Sequence, residues 1–406
     1  MPSGLREQAA LLLFVLSYLG IAVGRVPGTA LDRTGIALMG AVAMLCTGLL
    51  SPAQVADAID LETLAILGGL MLLSALYDRS GLYDRITGRL ATLAHPRLLL
   101  VGTVAVAALL AALLTNDVVC VAMTPVIAAT CLRRRWPPVP FLIAIAAAAN
   151  IGSALTPIGN PQNILIAQTA RLPFGPFAQA AALPVLLSLG ALVALLWRPV
   201  ALNRTLLTPD FEPTRPRPFH RDERKAIALS MLAILLFLTP IPASLSALVI
   251  GALVLFSRTS PSGDLLRRVD FPLLLLFVAL FVLVGGFKAA GWSDALARVL
   301  AQSGADLSDH GLLIGAAAAM SNLVSNVPAV MLLLPMMPPS ADHAITLALG
   351  STLAGNAVLI SSVANLIVVA QARNAGIELR FRDHARIGLP LTAISLLITL
   401  LCRQAA

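Results

Sequence analysis

The sequence predicts an all-α polytopic membrane protein made of two inverted repeats, each with five transmembrane helices, one re-entrant hairpin and one discontinuous helix. Three observations predict it: an extreme apolar composition, a repeat register that holds across each half, and polar interruptions that recur at matching places. Of the 406 residues 58% are hydrophobic and 12% are charged. No soluble domain of this length could bury so much apolar surface, whereas a bilayer accepts it. A span needs roughly 20 apolar residues. The expected spans lie near 9–24, 34–50, 61–78, 139–170 and 175–197, then near 226–240, 242–257, 271–288, 342–372 and 387–403.

The register comes next. A single offset pairs Asp60 with Asp270, Gly81 with Gly291, Asp84 with Asp294, Leu90 with Leu300 and Asn116 with Asn326. A slightly shorter offset then pairs Asn163-Ile164-Leu165-Ile166 with Asn365-Leu366-Ile367-Val368. The repeats therefore cover 1–197 and 226–406, joined by a Pro- and Arg-rich basic linker over 198–225. Hairpins are expected at about 98–132 and 310–338, two short apolar arms with a polar tip. Five spans per half is an odd number, so the second half enters from the opposite face. The first apolar run, Ala9 to Gly24, reads as a retained span because it has a counterpart later in the chain.

Charge agrees with this threading. The formal charge is +8. With the linker in the cytoplasm, all 28 basic residues fall on the cytoplasmic side except Arg6, Arg171, Lys288, Arg298 and Arg403. Both termini are then periplasmic. The positive charge sets topology and does not indicate nucleic acid. The segments 79–96 and 289–308 are amphipathic and suit the membrane interface. Cys46, Cys120, Cys131 and Cys402 lack CxxC spacing, the five histidines sit at segment ends or in loops, and there is no GxxxxGK[ST] loop. Disulfides, metal clusters, cofactors and ATP hydrolysis are not expected.

The chemistry is expected at the interruptions, because irregular backbone at membrane depth needs protein or water around it. The hairpin tips read Thr115-Asn116-Asp117 and Ser325-Asn326-Val327. Each places a hydroxyl, an amide and a helix N-terminus together. The unwound helices lie at about 156–163, with Pro157, Gly159, Asn160, Pro161 and Asn163, and at about 355–365, with Ser361, Ser362 and Asn365. The second lacks prolines and reads as the softer break. Asn150 and Gly152-Ser153 fit either packing or the site. Asp117 is the one carboxylate in the deep segments; sodium ligand, proton carrier and helix cap compete for it. Cys120 reads as core. No arginine or lysine lies among the breaks, so an anion would be held by helix dipoles, amides and a co-bound cation.

At Leu114-Thr115-Asn116-Asp117-Val118, Ala149-Asn150-Ile151-Gly152-Ser153 and Thr156 to Asn163, the chain resembles the ion transporter superfamily. That group holds divalent-anion/sodium symporters, citrate transporter-like proteins, arsenite exporters of the ArsB type and sodium/proton antiporters of the NhaD type. The YbiR group of anion transporters is the most similar. The resemblance implies a secondary transporter of a small anion, carboxylate or inorganic oxyanion, in a bacterial inner membrane, coupled to Na+ or H+. The alternatives are an arsenite-type exporter, a sodium/proton antiporter or, more remotely, a channel or intramembrane enzyme. It implies that Thr115, Asn116, Ser325 and Asn326 meet Gly159, Asn160, Asn163, Ser361, Ser362 and Asn365 across the site. Sodium would sit among Asn116, Asp117, Asn160 and Asn326. Elevator-like motion, a homodimer and contact with membrane lipids are also implied. Asp117, Val327 and the Asn-Pro-Gln of the first break depart from the symporters' Ser-Asn-Thr signature.

Overall fold

The computed structural model describes residues 3–24, 28–201, 218–257, 259–302 and 306–404. Its elements are helices. In chain order the first half holds α1 (Ser3–Val23), α2 (Arg33–Cys46), α3 (Pro52–Ala58), α4 (Leu61–Ser80), α5 (Leu82–Ala91), α6 (Pro96–Leu113), α7 (Asn116–Arg133), α8 (Pro138–Ser153), α9 (Pro161–Thr169) and α10 (Phe174–Ala201). The second holds α11 (Arg221–Phe237), α12 (Ala243–Leu255), α13 (Ser262–Leu266), α14 (Phe271–Ala289), α15 (Trp292–Gln302), α16 (His310–Val324), α17 (Asn326–Leu333), α18 (Ala341–Ala354), α19 (Val363–Asn374) and α20 (Phe381–Gln404). Of the expected linker, 202–217 lies outside the described residues.

Local sequence sets the boundaries. Asp60 and Asp270 cap α4 and α14 by accepting from the amides of Thr63 and Leu273, both at 3.0 Å. Gly81 and Gly291 follow those helices with φ of 75° and 78°, a left-handed turn that disfavours any side chain. Two short helices, α3 and α13, were not expected. The first was readable: Ser51 and Gln54 form a reciprocal capping box around Pro52, the first residue of the helix.

Seven helices among the described residues are long and apolar enough to cross a membrane. The outer faces of α1, α10, α12 and α20 leave Leu12, Leu16, Leu186, Leu248 and Leu397 exposed, as a lipid-facing surface requires. This is an integral membrane protein. At its centre every residue from Phe141 to Ser153 of α8 is buried, and so is every residue from Ala344 to Ala354 of α18. Both helices are rich in small residues, which allow close helix approach. Helices α4 and α12 cross with Gly69 against Ala247, where an added Cβ would fall 2.2 Å from the Ala247 carbonyl oxygen.

Contacts define two ends. At the linker end, Asp78 pairs with Arg268, and buried Arg85 with Glu223 at 2.8 Å. Lys225 donates to the Val254 carbonyl (2.9 Å), and the Thr34 hydroxyl to that of Pro272 (3.3 Å). Arg134, after α7, donates to the carbonyls of Leu93 and Ala91, just ahead of α6, so the α6–α7 pair is rooted at this end. At the far end Trp292 donates to Glu7, and the root of α16–α17 gathers through His310–Asp342 at 2.9 Å and Arg403–Asp342 at 3.0 Å. The arms of the first pair, 18 residues each, are longer than the short arms expected.

Candidate functional site

Both long central helices are interrupted. Helix α8 stops at Ser153 and α9 starts at Pro161; α18 stops at Ala354 and α19 starts at Val363. In the first, Pro157 and Pro161 cannot extend the amide ladder, and Gly159 folds back so tightly that a Cβ would lie 2.3 Å from the Ser153 carbonyl oxygen. Asn160 then caps α9 by accepting from the Asn163 amide at 2.8 Å. The second break is equally complete without prolines, which corrects the softer break expected. A 3₁₀ turn at Leu359–Ser361 is held by Ser361, whose hydroxyl oxygen accepts from the Val358 amide at 3.1 Å and whose one proton is shared between the Val358 carbonyl at 2.8 Å and Asn322.

One device closes both breaks. The Asn163 side-chain amide donates to the carbonyls of Ser153 (3.2 Å) and Thr156 (3.1 Å). The Asn365 amide donates to those of Gly355 (2.9 Å) and Val358 (3.1 Å), the repeat-equivalent pair. Orphan carbonyls at two helix ends are thus satisfied by one side chain.

These stitches fix the polarity of everything attached to them. Asn365 must present its NH2 to two carbonyls, so its oxygen faces outward and accepts from Asn150 at 3.3 Å. The Asn150 NH2 also donates to Asn356 at 3.1 Å. The Asn150 oxygen therefore receives the Ser362 hydroxyl and the Asn116 NH2, both at 3.0 Å. Asn116 is left with its oxygen unpartnered and buried. In the other half Thr352 occupies the place of Asn150. Its hydroxyl donates to Asn163 at 3.3 Å and accepts from Asn160 (3.3 Å) and Gln162 (3.2 Å). Each hub thus ties together the cap and the stitch of the opposite break.

The tips meet at a cavity of about 80 Å³. Of the residues expected at the site, Asn116, Asp117, Ser325, Asn326 and Ser362 line it. Thr115, Gly159, Asn160, Asn163, Ser361 and Asn365 do not; Thr115 is buried at the first tip and the others in the breaks. Ser361 donates to Asn322 of α16 at 2.7 Å. Asn116 and Asn326, 6% and 8% exposed, each keep a buried oxygen without a hydrogen-bond partner. Such a group costs about 1–3 kcal/mol unless something meets it. The sequence reading missed Gln162 and Arg33, which also line the cavity. No basic residue lies in the breaks themselves, but Arg33, the first residue of α2, lines the cavity between the tips, brought there by the packing of α2 against α14.

A second cavity, about 880 Å³, opens at the far end between the loops 169–175 and 237–243, with Glu62 and Arg171 in its wall. Pro157 and Ile158 line this cavity, while Pro161 and Gln162 line the smaller one. The first break is therefore a shared wall.

Comparison with known proteins agrees with this architecture. Residues 12–345 match the family model described as citrate transporter. The inner membrane protein YbiR of Escherichia coli is 35% identical, covering 81% of this chain and 84% of that one. The silicon efflux transporter LSI3 of Oryza sativa subsp. japonica is 29% identical over 91% and 92%. Among solved structures, the Alcanivorax borkumensis YdaH transporter superposes with a TM-score of 0.56 at 17% identity, covering 100% of this chain and 98% of that chain. That likeness is one of fold.

Proposed function

Since the chain belongs to the citrate transporter family and is a membrane transporter, we propose that it is a secondary active transporter that moves a small anion together with a cation held between the two tips. One observation carries this reading. The cavity is lined by two tip asparagines whose buried carboxamide oxygens have no hydrogen-bond partner, and by Asp117. Acceptors without donors suit a hard cation, and Asp117 suits either a sodium ion or a proton. Asn116, Asp117 and Asn326 hold the ion; Asn160, whose oxygen caps α9, stays behind the wall.

The halves act as inverted repeats. Supporting this, α6–α7 is rooted at the linker end and α16–α17 at the far end, and the stitches and hubs correspond pair by pair. The concentration of arginine supports a linker end that faces the cytoplasm, in a bacterial inner membrane. The small cavity then opens inward, the large one outward, and the first break separates them. A homodimer is the assembly the resemblance implies.

The substrate is small. At about 80 Å³ the small cavity has room for a few water-sized groups. That volume favours an inorganic oxyanion or oxyacid over a tricarboxylate, in keeping with the silicon-exporting relative. The test is flux of radiolabelled sulfate, phosphate, citrate and silicic acid across proteoliposomes, with a sodium gradient, a pH gradient or neither. Saturable movement of at least one solute, increased by one gradient, is expected. Flux of all four at the level of protein-free vesicles would sink the proposal.

A further inference from the structure

We propose that Arg33 is the specificity-determining residue that recruits the anion, an extension that rests on reading the cavity between the tips as the transport site. Among the cavity's residues Arg33 is the sole cation, set against Asp117. It is the first residue of α2 and stands at the linker-end mouth beside Ile21 and Leu273, whereas the tip asparagines are more deeply buried.

Two further observations point to a ligand. Arg33 is half-buried, yet among the described residues it forms no ion pair and no hydrogen bond. The neighbouring carboxylates have other work: Asp32 accepts from the Gly35 amide at 2.8 Å and Asp270 from that of Leu273 at 3.0 Å. A partly desolvated guanidinium without an anion is unfavourable, and its planar fork of donors matches an oxyanion in two-point fashion. The backbone also makes room for it. Gly24 ends the turn after α1 with φ of 83°, and a Cβ there would stand 3.2 Å from the Arg33 Nε. The cavity is therefore bipolar, with oxygen acceptors for a cation at the tips and a guanidinium for an anion at the mouth.

The test compares the full-length wild type with Arg33→Gln, Arg33→Lys and Asn116→Ala in proteoliposomes, using sulfate, phosphate and citrate as probes and silicic acid as an uncharged control. The expected result is uptake of at least one anion by the wild type. Arg33→Gln should raise its half-saturating concentration tenfold or more while changing the maximal rate less than threefold. Arg33→Lys should recover most of the loss, and silicic acid flux should not separate the Arg33 variants. A half-saturating concentration within twofold of wild type in Arg33→Gln overturns the inference. So does a wild type that carries silicic acid but none of the three anions. Should Arg33→Gln fail to fold, Arg33→Lys still decides. The single-point ammonium should shift half-saturation at least twofold, and an unchanged value overturns the inference. Asn116→Ala keeps the two ideas apart: its loss of uptake beside an indifferent Arg33→Gln removes Arg33 alone, and its full uptake removes the site itself.

Discussion

Asn116 and Asn326 occupy equivalent places in the two halves, and each keeps a buried carboxamide oxygen without a partner. Their surroundings differ. The first is followed by Asp117 and reached through Thr115, whose backbone is ordinary (φ −80°, ψ 139°). The second is followed by Val327 and reached through Ser325, at φ 78° and ψ 159°. The breaks opposite them differ likewise: two prolines hold one open and a 3₁₀ turn the other. What the halves share is an asparagine stitch across the broken backbone and a crossing hub that holds it. The part that diverges is charge. Matching polar ties can thus frame two tips of different charge.

The strongest way to break the comparison is at the hubs, because each ties two breaks at once. Asn150→Ala strands the Asn365 and Asn356 oxygens, the Ser362 hydroxyl and the Asn116 NH2. At about 1–3 kcal/mol for each buried group left unpaired, with partial relaxation, the loss should be about 4 kcal/mol. Thr352→Val keeps the shape and removes three bonds, one of them to an Asn160 amide that retains Ser153 at 2.9 Å. Its cost should be about 2 kcal/mol. Thermal unfolding in detergent ranks them; equal losses would mean that the hubs are packing residues and not polar ties.

Charge asymmetry is tested at Asp117. Asp117→Asn should reduce gradient-driven flux at least tenfold while leaving downhill exchange, because the carboxylate is what distinguishes the first tip from the second. Undiminished gradient stimulation would leave Asp117 as a first-turn acid of α7 beside the positive end of the helix, and its replacement would then register only as about 0.3–1 kcal/mol of stability.

A smaller effect is expected at Ser325. A serine at φ 78° and ψ 159° sits where glycine is at ease, at a cost of about 1–3 kcal/mol. Glycine adds unfolded-state entropy worth about 0.5–1 kcal/mol. Ser325→Gly should therefore stabilise by about 1 kcal/mol at most, while Thr115→Gly, at an ordinary backbone position, should destabilise. If both lower the unfolding temperature alike, the tips are conformationally equivalent and the contrast drawn between them fails.

Much of this was legible because it rests on backbone chemistry. Pro157, Gly159 and Pro161 announce a broken helix in any context, and Gly81 and Gly291 announce matching turns. The roles of Asn163 and Asn365 were not legible. Their spacing places them at the breaks, but which side of an unwound strand an amide faces is set by tertiary packing, and both turn inward to their own carbonyls. The second hub was hidden for another reason. Asn150 was in view, but its counterpart Thr352 is a different residue type, so a search for identities passes over it. Arg33 counted as one more topology-setting cation until the packing of α2 on α14 placed it in the cavity wall.

The mildest expected effect concerns the prolines that one break has and the other lacks. Val363 opens α19, after the 3₁₀ turn at Leu359–Ser361, as Pro161 opens α9. The first position of a helix tolerates proline, since its amide has no partner within the helix. Ser362 just before it is extended at φ −136° and ψ 140°, the conformation a following proline requires. Val363→Pro should therefore be accepted and should stabilise by about 0.5 kcal/mol through a less flexible unfolded chain. The unfolding temperature should rise slightly with the stitch at Asn365 intact. A fall of several degrees would mean that the second break depends on a freedom the first has lost, and the two breaks would then be unlike in mechanics as well as in charge.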